Sequence, residues 1–166
     1  MQRIVVIGCP GSGKSTLARA LHERTGIPLY HLDMLYWNED KTTVDKATFR
    51  SRLAAVLREG RWIIDGNYSS TMEERIALSD TVIFLDYPTE LCLEGVRQRR
   101  GMPRSDMPWI ELEEDTEFIK FIESFATAER PKILALLDRY APTRTVHIFK
   151  TREEAERFFA NTAFCY

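Results

Sequence analysis

A loop near the start of the chain carries the residue types that hold a triphosphate. Residues Gly8–Ser15 read GCPGSGKS and match the pattern G-x-x-x-x-G-K-[ST] in full. Glycines let successive backbone N–H groups turn towards phosphate oxygens, and the helix N-terminus that follows adds unpaired donors and a positive dipole end. An apolar run precedes the loop and an amphipathic stretch follows it, as the motif requires. The sequence therefore predicts a nucleotide site.

The side chains of this loop have separate predicted tasks. Lys14 can reach the β- and γ-phosphates, Ser15 can offer its hydroxyl to Mg²⁺, and Thr16 is placed for the α-phosphate. The predicted nucleotide-binding residues of this region are Gly8, Pro10, Gly11, Ser12, Gly13, Lys14, Ser15 and Thr16. ATPases, GTPases and kinases share the motif, so it does not name a reaction. The chain has no Asn-Lys-x-Asp stretch for guanine, which favours ATP.

Three apolar runs end in an aspartate, at Asp33, Asp65 and Asp86. In an open parallel sheet the ligand lies beyond the carboxyl ends of the strands, so all three can face the site. Asp65 in WIIDG is predicted to orient magnesium-bound water, and Asp33, among aromatic residues, to orient an acceptor hydroxyl and take its proton. Each could instead cap a turn or helix, and for Asp86 we expect that role. His31 shares a face with Asp33 and is a candidate neighbour of it.

Arginines lie where a closing segment could stabilise a phosphoryl group in transfer. Arg97, Arg100 and Arg104 are predicted to act there, and at least one of them to contact phosphate. The competing interpretation is a solvated helix end, where arginines already interact favourably with the dipole. Arg75 and Arg130 are weaker candidates.

Composition excludes several classes of protein. The 166 residues carry a net charge of −2, without the basic excess typical of proteins that coat nucleic acid. No apolar stretch approaches the length needed to span a bilayer. Cys9, Cys92 and Cys165 lack metal-ligand spacing and are interpreted as reduced thiols. We therefore expect a cytoplasmic protein without a membrane anchor.

Short apolar runs alternate with helical periods, which predicts an α/β fold with a mainly parallel sheet. The predicted strands are 3–7, 27–33, 61–65, 81–86 and 145–149. The predicted helices are 14–25, 46–59, 69–78, 88–100, one from about 118 that Pro131 breaks or restarts, and 152–160. Residues 101–115, with mixed charge and prolines, are predicted to form a mobile insert.

Taken together, these motifs make the chain resemble the adenylate-kinase-like P-loop kinases, and most closely the DNA topology modulation proteins. The resemblance covers nearly the whole length and includes Gly8–Ser15, HLD at 31–33, WIIDGNY at 62–68 and FLDYP at 84–88. It implies one three-layer domain over 1–166 with a five-stranded parallel sheet in the order 2-3-1-4-5. It also implies an acceptor region at about 34–60, a short lid at about 101–116, and an adenine contact at Arg152 in the loop before the last helix.

Two functions follow from these residues. The first is a kinase that transfers the γ-phosphate of Mg·ATP to a nucleotide or small-molecule acceptor, which the sequence does not identify. The chain lacks the glycine-proline-arginine type of sequence that follows Asp65 in adenylate kinases, so the AMP-specific pattern is missing. The alternative is a nucleotide-dependent regulatory factor, connected with DNA topology, with little or no phosphotransfer. The near-neutral charge and the layout of the acids favour the kinase.

Overall fold

A computed structural model describes residues 1–162 and arranges them as an α/β/α fold. The strands are β1 (Arg3–Gly8), β2 (Leu29–His31), β3 (Trp62–Asp65), β4 (Thr81–Leu85) and β5 (Thr145–Phe149). The helices are α1 (Lys14–Thr25), α2 (Leu32–Tyr36), α3 (Lys46–Leu57), α4 (Ser69–Leu78), α5 (Thr89–Arg99), α6 (Thr116–Ala128), α7 (Arg130–Tyr140) and α8 (Arg152–Asn161). All strand pairs are parallel and follow the order β2-β3-β1-β4-β5, which confirms the predicted topology.

The central strands form the core because helices cover both faces of the sheet. Ile4–Ile7 of β1 and Trp62–Ile64 of β3 are fully buried, as expected for parallel strands that read as continuous apolar runs. In the register, Val6 lies beside Asp65, and Gly8 lies beside Leu85. The end of β1, where the phosphate loop begins, therefore lies beside the ends of both neighbouring strands.

The second strand is shorter than the sequence predicted. Only Leu29–His31 pair with β3, and Asp33 belongs to the first turn of α2 instead of ending a strand. The physical reason is twofold. Leu32, Leu35 and Tyr36 repeat at i, i+3 and i+4, a helical period. In addition, β2 is an edge strand bonded to one neighbour, so little holds the chain in extended form beyond His31.

The insert between α5 and α6 contains no helix or strand, as predicted. Asp115 ends it by capping α6, because its carboxylate accepts hydrogen bonds from the backbone N–H groups of Glu117 and Phe118 at 3.0 and 3.1 Å. Pro131 lies in the first turn of α7, which confirms the predicted restart of the helix. Within residues 1–162, no helix has the length and apolar character needed to cross a membrane.

Candidate functional site

The phosphate loop leaves its donors available for a ligand. Gly13 stands at the N-cap of α1 in the left-handed conformation and provides no side-chain cap, so the first N–H groups of α1 lack that partner. The Ser12 hydroxyl is buried and has no hydrogen-bond partner among the described residues. Asn67, which follows β3, donates to the Gly8 carbonyl at 2.9 Å and accepts from the Gly8 N–H at 3.1 Å. This two-way bond fixes the start of the loop.

Helix α5 lies directly against the other side of the loop. Gly11 has φ +85°, and a Cβ there would collide with the carbonyl oxygen of Cys92. Gly95, about one helical turn after Cys92, has no room for a Cβ because the Gly11 carbonyl lies beside it. Two glycines therefore let the loop and the helix touch through their backbones.

Cys9 and Cys92 meet at this contact, although their positions in the sequence do not indicate a pair. A hydrogen bond between the two sulfur atoms raises the pKa of Cys9 and lowers that of Cys92. Both side chains are buried and free of disulfide bonds. Cys165 lies outside the described residues.

Asp65 is buried at the end of β3. One carboxylate oxygen contacts His31 Nδ1 at 2.8 Å, and the other is buried without a partner among the described residues. The predicted neighbour of His31 was Asp33, but its partner in the structure is Asp65. An unpartnered carboxylate oxygen at a strand end is suited to accept a hydrogen bond from a metal-bound water.

Arg75 holds the loop after β3 in place through hydrogen bonds to the backbone carbonyls of that loop. Its side chain is fully buried and donates to the carbonyl of Gly66 at 2.9 Å, to that of Thr71 at 3.3 Å and to that of Asn67. The sequence offered Arg75 as a weaker phosphate-binding candidate. The structure instead makes it a support for backbone carbonyls, because its hydrogen-bond partners lie in that loop and in α4.

Asp33 reaches the site from the first turn of α2. The Tyr68 hydroxyl donates to its carboxylate at 2.7 Å. Burial raises the pKa of Asp33, while the Tyr68 hydrogen bond and the Lys14 charge oppose that rise. Tyr68 itself is held in the left-handed conformation at φ 38° and packs edge-on against Tyr36, with ring centroids 5.1 Å apart. Asp33 is thus a carboxylate of raised basicity in an aromatic surrounding.

The insert brings arginines and acids to the same place. Arg99 contacts Glu111 at 3.1 Å, Arg104 contacts Glu111 at 3.1 Å and also Asp106, and Arg100 contacts Glu114. Asp106 is 3% exposed and also accepts from Arg19 at 3.2 Å. Burial works to raise the pKa of Asp106, but the hydrogen bond and charge of Arg104, the charge of His31 and the hydrogen bond of Ser15 outweigh it, so that pKa lies well below its usual range. Arg99 and Asp106 were not among the site residues predicted from the sequence.

Two cavities meet at these residues. The first, about 700 Å³, follows the phosphate loop and includes Lys14, Arg19, Tyr87, Asp106 and Arg152. The second, about 680 Å³, includes Asp33, Trp37, Tyr68 and Trp109. Lys14, Arg99 and Arg104 line both cavities. A molecule in one cavity would therefore meet a molecule in the other beside three basic side chains.

The predicted residues divide between these cavities. Those lining the first are Gly11, Ser12, Gly13, Lys14, Ser15, Thr16, Arg104 and Arg152; those lining the second are Pro10, Lys14, Asp33, Arg100 and Arg104. Gly8 and Asp65 line neither, since Gly8 is bound to Asn67 and Asp65 to His31. Arg97 also lines neither and is exposed on the outer side of α5.

Asp86 corrects one further expectation. It does not cap a helix: Pro88 occupies the N-cap of α5, and the Asp86 carboxylate pairs with Arg130 at 2.7 Å and with Lys150. Burial works to raise the pKa of Asp86, but these two cations hold it below its ordinary value. These two ion pairs join the ends of β4 and β5 to the start of α7, next to the end of the first cavity that Arg152 lines.

Comparison with known structures supports the fold. The chain is similar to shikimate kinase from Bacteroides thetaiotaomicron, with a TM-score of 0.55 and 21% identity over 96% of this chain and 94% of that chain. It is also similar to shikimate kinase from Acinetobacter baumannii, solved in complex with shikimate, with a TM-score of 0.63 and 18% identity over 96% of this chain and 89% of that chain. No curated protein matches the sequence. The fold is thus that of the P-loop kinases.

Sequence comparison at the level of families agrees with the phosphate loop. The model of a family described as AAA domain matches residues 3–89, more than half of the chain. The matched region contains β1, the phosphate loop, α1, and the strand ends that carry Asp65 and Asp86. The chain therefore belongs to the AAA domain family.

Proposed function

We propose that the protein is a kinase that transfers the γ-phosphate of Mg·ATP to the hydroxyl group of a small acceptor. The observation that carries this proposal is that Lys14, Arg99 and Arg104 line both cavities. A protein that only binds or hydrolyses a nucleotide needs one cavity at the phosphate loop. A second cavity with a buried carboxylate, joined to the first by basic side chains, suits the transfer of a phosphoryl group between two molecules.

The first cavity suits ATP. The free N–H groups at the start of α1 and the unpartnered Ser12 hydroxyl are donors for phosphate oxygens, and Lys14 neutralises the β- and γ-phosphates. Arg152, with Tyr87 beside it, lines the end that would hold the adenine. Ser15 and the free oxygen of Asp65 fit Mg²⁺ and its water, respectively. When bound, Mg²⁺ would neutralise charge on the β- and γ-phosphates.

The second cavity suits the acceptor. Asp33 would accept a hydrogen bond from the acceptor hydroxyl and take its proton as the oxygen attacks the γ-phosphorus. The bond from this phosphorus to the bridging oxygen then breaks, and ADP leaves. A raised pKa makes Asp33 a stronger base than an ordinary carboxylate. Arg99, at the end of α5, and Arg104, in the proposed lid of residues 101–116, would stabilise the charge on the group in transfer together with Lys14.

The test is a transfer screen with ATP labelled on its γ-phosphate, against nucleosides, nucleotides and hydroxylated metabolites. With a productive acceptor, Asp33→Asn should lower kcat by about 10² to 10⁴-fold, because a positioned base contributes that much. Its dissociation constant for ATP should stay within about twofold of the wild-type value, since Asp33 does not line the first cavity.

Two controls complete this design. Lys14→Met serves as the blank, because it should abolish nucleotide binding. Glu123→Gln removes an exposed carboxylate that lines neither cavity, and should retain wild-type turnover. Full turnover in Asp33→Asn, or ATP hydrolysis without transfer to any acceptor, would contradict the proposal. The narrower relationship to the DNA topology modulation proteins remains a prediction from the motifs.

A further inference from the structure

The wall of the second cavity is rich in aromatic rings. Five aromatic side chains line it: Trp37, Tyr68, Trp109, Phe118 and Phe121. Trp37 and Trp109 meet edge to face with centroids 6.0 Å apart, which joins the acceptor region to the insert. Rings of this kind give large apolar contact area and prefer an aromatic partner at an offset or edge-on angle. This aromatic lining is suited to bind a ligand that contains an aromatic ring.

The charges of the same cavity cancel. Its lining includes five basic residues, Lys14, Lys41, Arg99, Arg100 and Arg104, and five acidic ones, Asp33, Glu111, Glu113, Glu114 and Asp115. All three arginines already hold a carboxylate: Arg99 and Arg104 share Glu111, and Arg100 holds Glu114. Lys14 belongs to the phosphate loop, and Lys41 lies over the Trp109 ring, 5.2 Å from its centroid.

An anionic acceptor would meet an unfavourable site. To bind a phosphate or carboxylate, an arginine would have to leave a partly buried ion pair, and the released acid would then face the new anion. The Asp33 carboxylate would repel the same anion. An uncharged acceptor needs no exchange of partners, and its hydroxyl can donate directly to Asp33.

We propose that the acceptor is an uncharged hydroxyl compound with an aromatic ring, of about the size of a nucleoside, and that Glu111 selects it by occupying Arg99 and Arg104. The ring lies against Trp109 and its neighbours, and the hydroxyl lies at Asp33. This inference rests on the proposed function, because it concerns the acceptor cavity of that kinase.

The experiment measures binding to the second cavity alone. The first cavity is saturated with a non-hydrolysable ATP analogue and Mg²⁺, and calorimetry then gives the dissociation constants of adenosine, thymidine and their 5′-monophosphates. Each pair differs only in the phosphate group. We expect each nucleoside to bind at least about tenfold more tightly than its monophosphate, because the added phosphate would have to displace a carboxylate from one of these arginines.

Variants of the insert test the role of Glu111. Glu111→Gln releases Arg99 and removes one of the two carboxylate partners of Arg104, the other being Asp106. It should improve binding of the monophosphates by about tenfold while nucleoside affinity stays within about twofold. Glu113→Gln is the matched control, since it removes the same charge from the same segment, and no described hydrogen bond or ion pair joins Glu113 to an arginine. If Glu111→Gln does not fold, Glu114→Gln asks the same question of Arg100.

The outcomes distinguish a failure of this inference about the acceptor from a failure of the proposed kinase function. If the ATP analogue does not bind, the proposed kinase itself fails. If the analogue binds but the nucleosides do not, or the monophosphates bind as tightly as the nucleosides, the acceptor class is wrong while the kinase stands. If Glu111→Gln and Glu113→Gln have equal effects on monophosphate binding, Glu111 does not select the acceptor.

Discussion

The contact between Gly95 and the phosphate loop predicts that Gly95→Ala changes ATP affinity and the free energy of unfolding by different amounts. A Cβ built on Gly95 would lie 2.2 Å from the carbonyl oxygen of Gly11, whereas real Cβ contacts stay above 3.0 Å. In Gly95→Ala the loop and α5 must therefore move apart by about 0.8 Å. The loop is the part that can yield, because α5 is fixed by buried Cys92 and Val96 on the same side.

The two effects of this substitution differ in size. Alanine is favoured over glycine inside a helix by about 1 kcal/mol, and overpacking costs about 1–3 kcal/mol, so the free energy of unfolding should change by less than about 2 kcal/mol. A displaced loop loses about one charge-assisted hydrogen bond to phosphate, worth about 1.5–3 kcal/mol. ATP affinity should therefore fall by about tenfold to a hundredfold.

Calorimetric titration with Mg·ATP and urea unfolding measure the two quantities on the same protein. Gly60→Ala is the matched control, because Gly60 is exposed, lies outside both cavities and has no atom within 4 Å of an added Cβ. The reasoning is refuted if Gly95→Ala binds ATP as tightly as Gly60→Ala. A loss of stability with unchanged affinity would mean that α5 yields and the loop does not.

Two further predictions concern the residues that support the site. Tyr68→Phe removes a hydrogen bond that lowers the pKa of Asp33, so the pKa of Asp33 should rise further. Because transfer needs ionised Asp33, the acidic limb of the profile of kcat against pH should move to higher pH. An unmoved limb would exclude Asp33 as the base. Arg75→Met removes the donor from the buried carbonyl of Gly66 and from the partly buried carbonyl of Asn67, and should lower the free energy of unfolding by about 3 kcal/mol in urea. By contrast, Arg58→Met at an exposed position should change it by less than about 0.5 kcal/mol.

The sheet could be predicted from the sequence because its signals are local. The first strand is a continuous apolar run, and the loop after it spells a complete motif, so β1, α1 and their order along the chain needed no tertiary information. The edge strand β2 was harder. Its apolar run continues directly into the helical period of α2, and pairing with β3 ends at His31, opposite the last residue of β3.

The ion pairs of the insert could not be predicted, because nothing local selects the partners. Arg99 and Glu111 are twelve residues apart, and Glu113 and Glu114 offered the same charge nearby. Asp106 lies in a stretch of mixed charge and became notable only when the structure placed it beside Arg19 and Arg104. Composition could identify the segment as an insert but not the contacts that it makes.

The helical period of α5 in the sequence contains enough information to distinguish Arg99 from Arg97. Residues two apart on a helix point about 200° away from each other, so Arg97 and Arg99 cannot both face the same cavity. Cys92 and Val96 are the buried residues of α5, and Arg99 continues their row at i, i+4 and i+7. Arg97 falls outside that row and is exposed. The apolar residues that hold α5 against the phosphate loop therefore also determine that Arg99, and not Arg97, lines both cavities, and helical phase is a better guide to that residue than proximity to the insert.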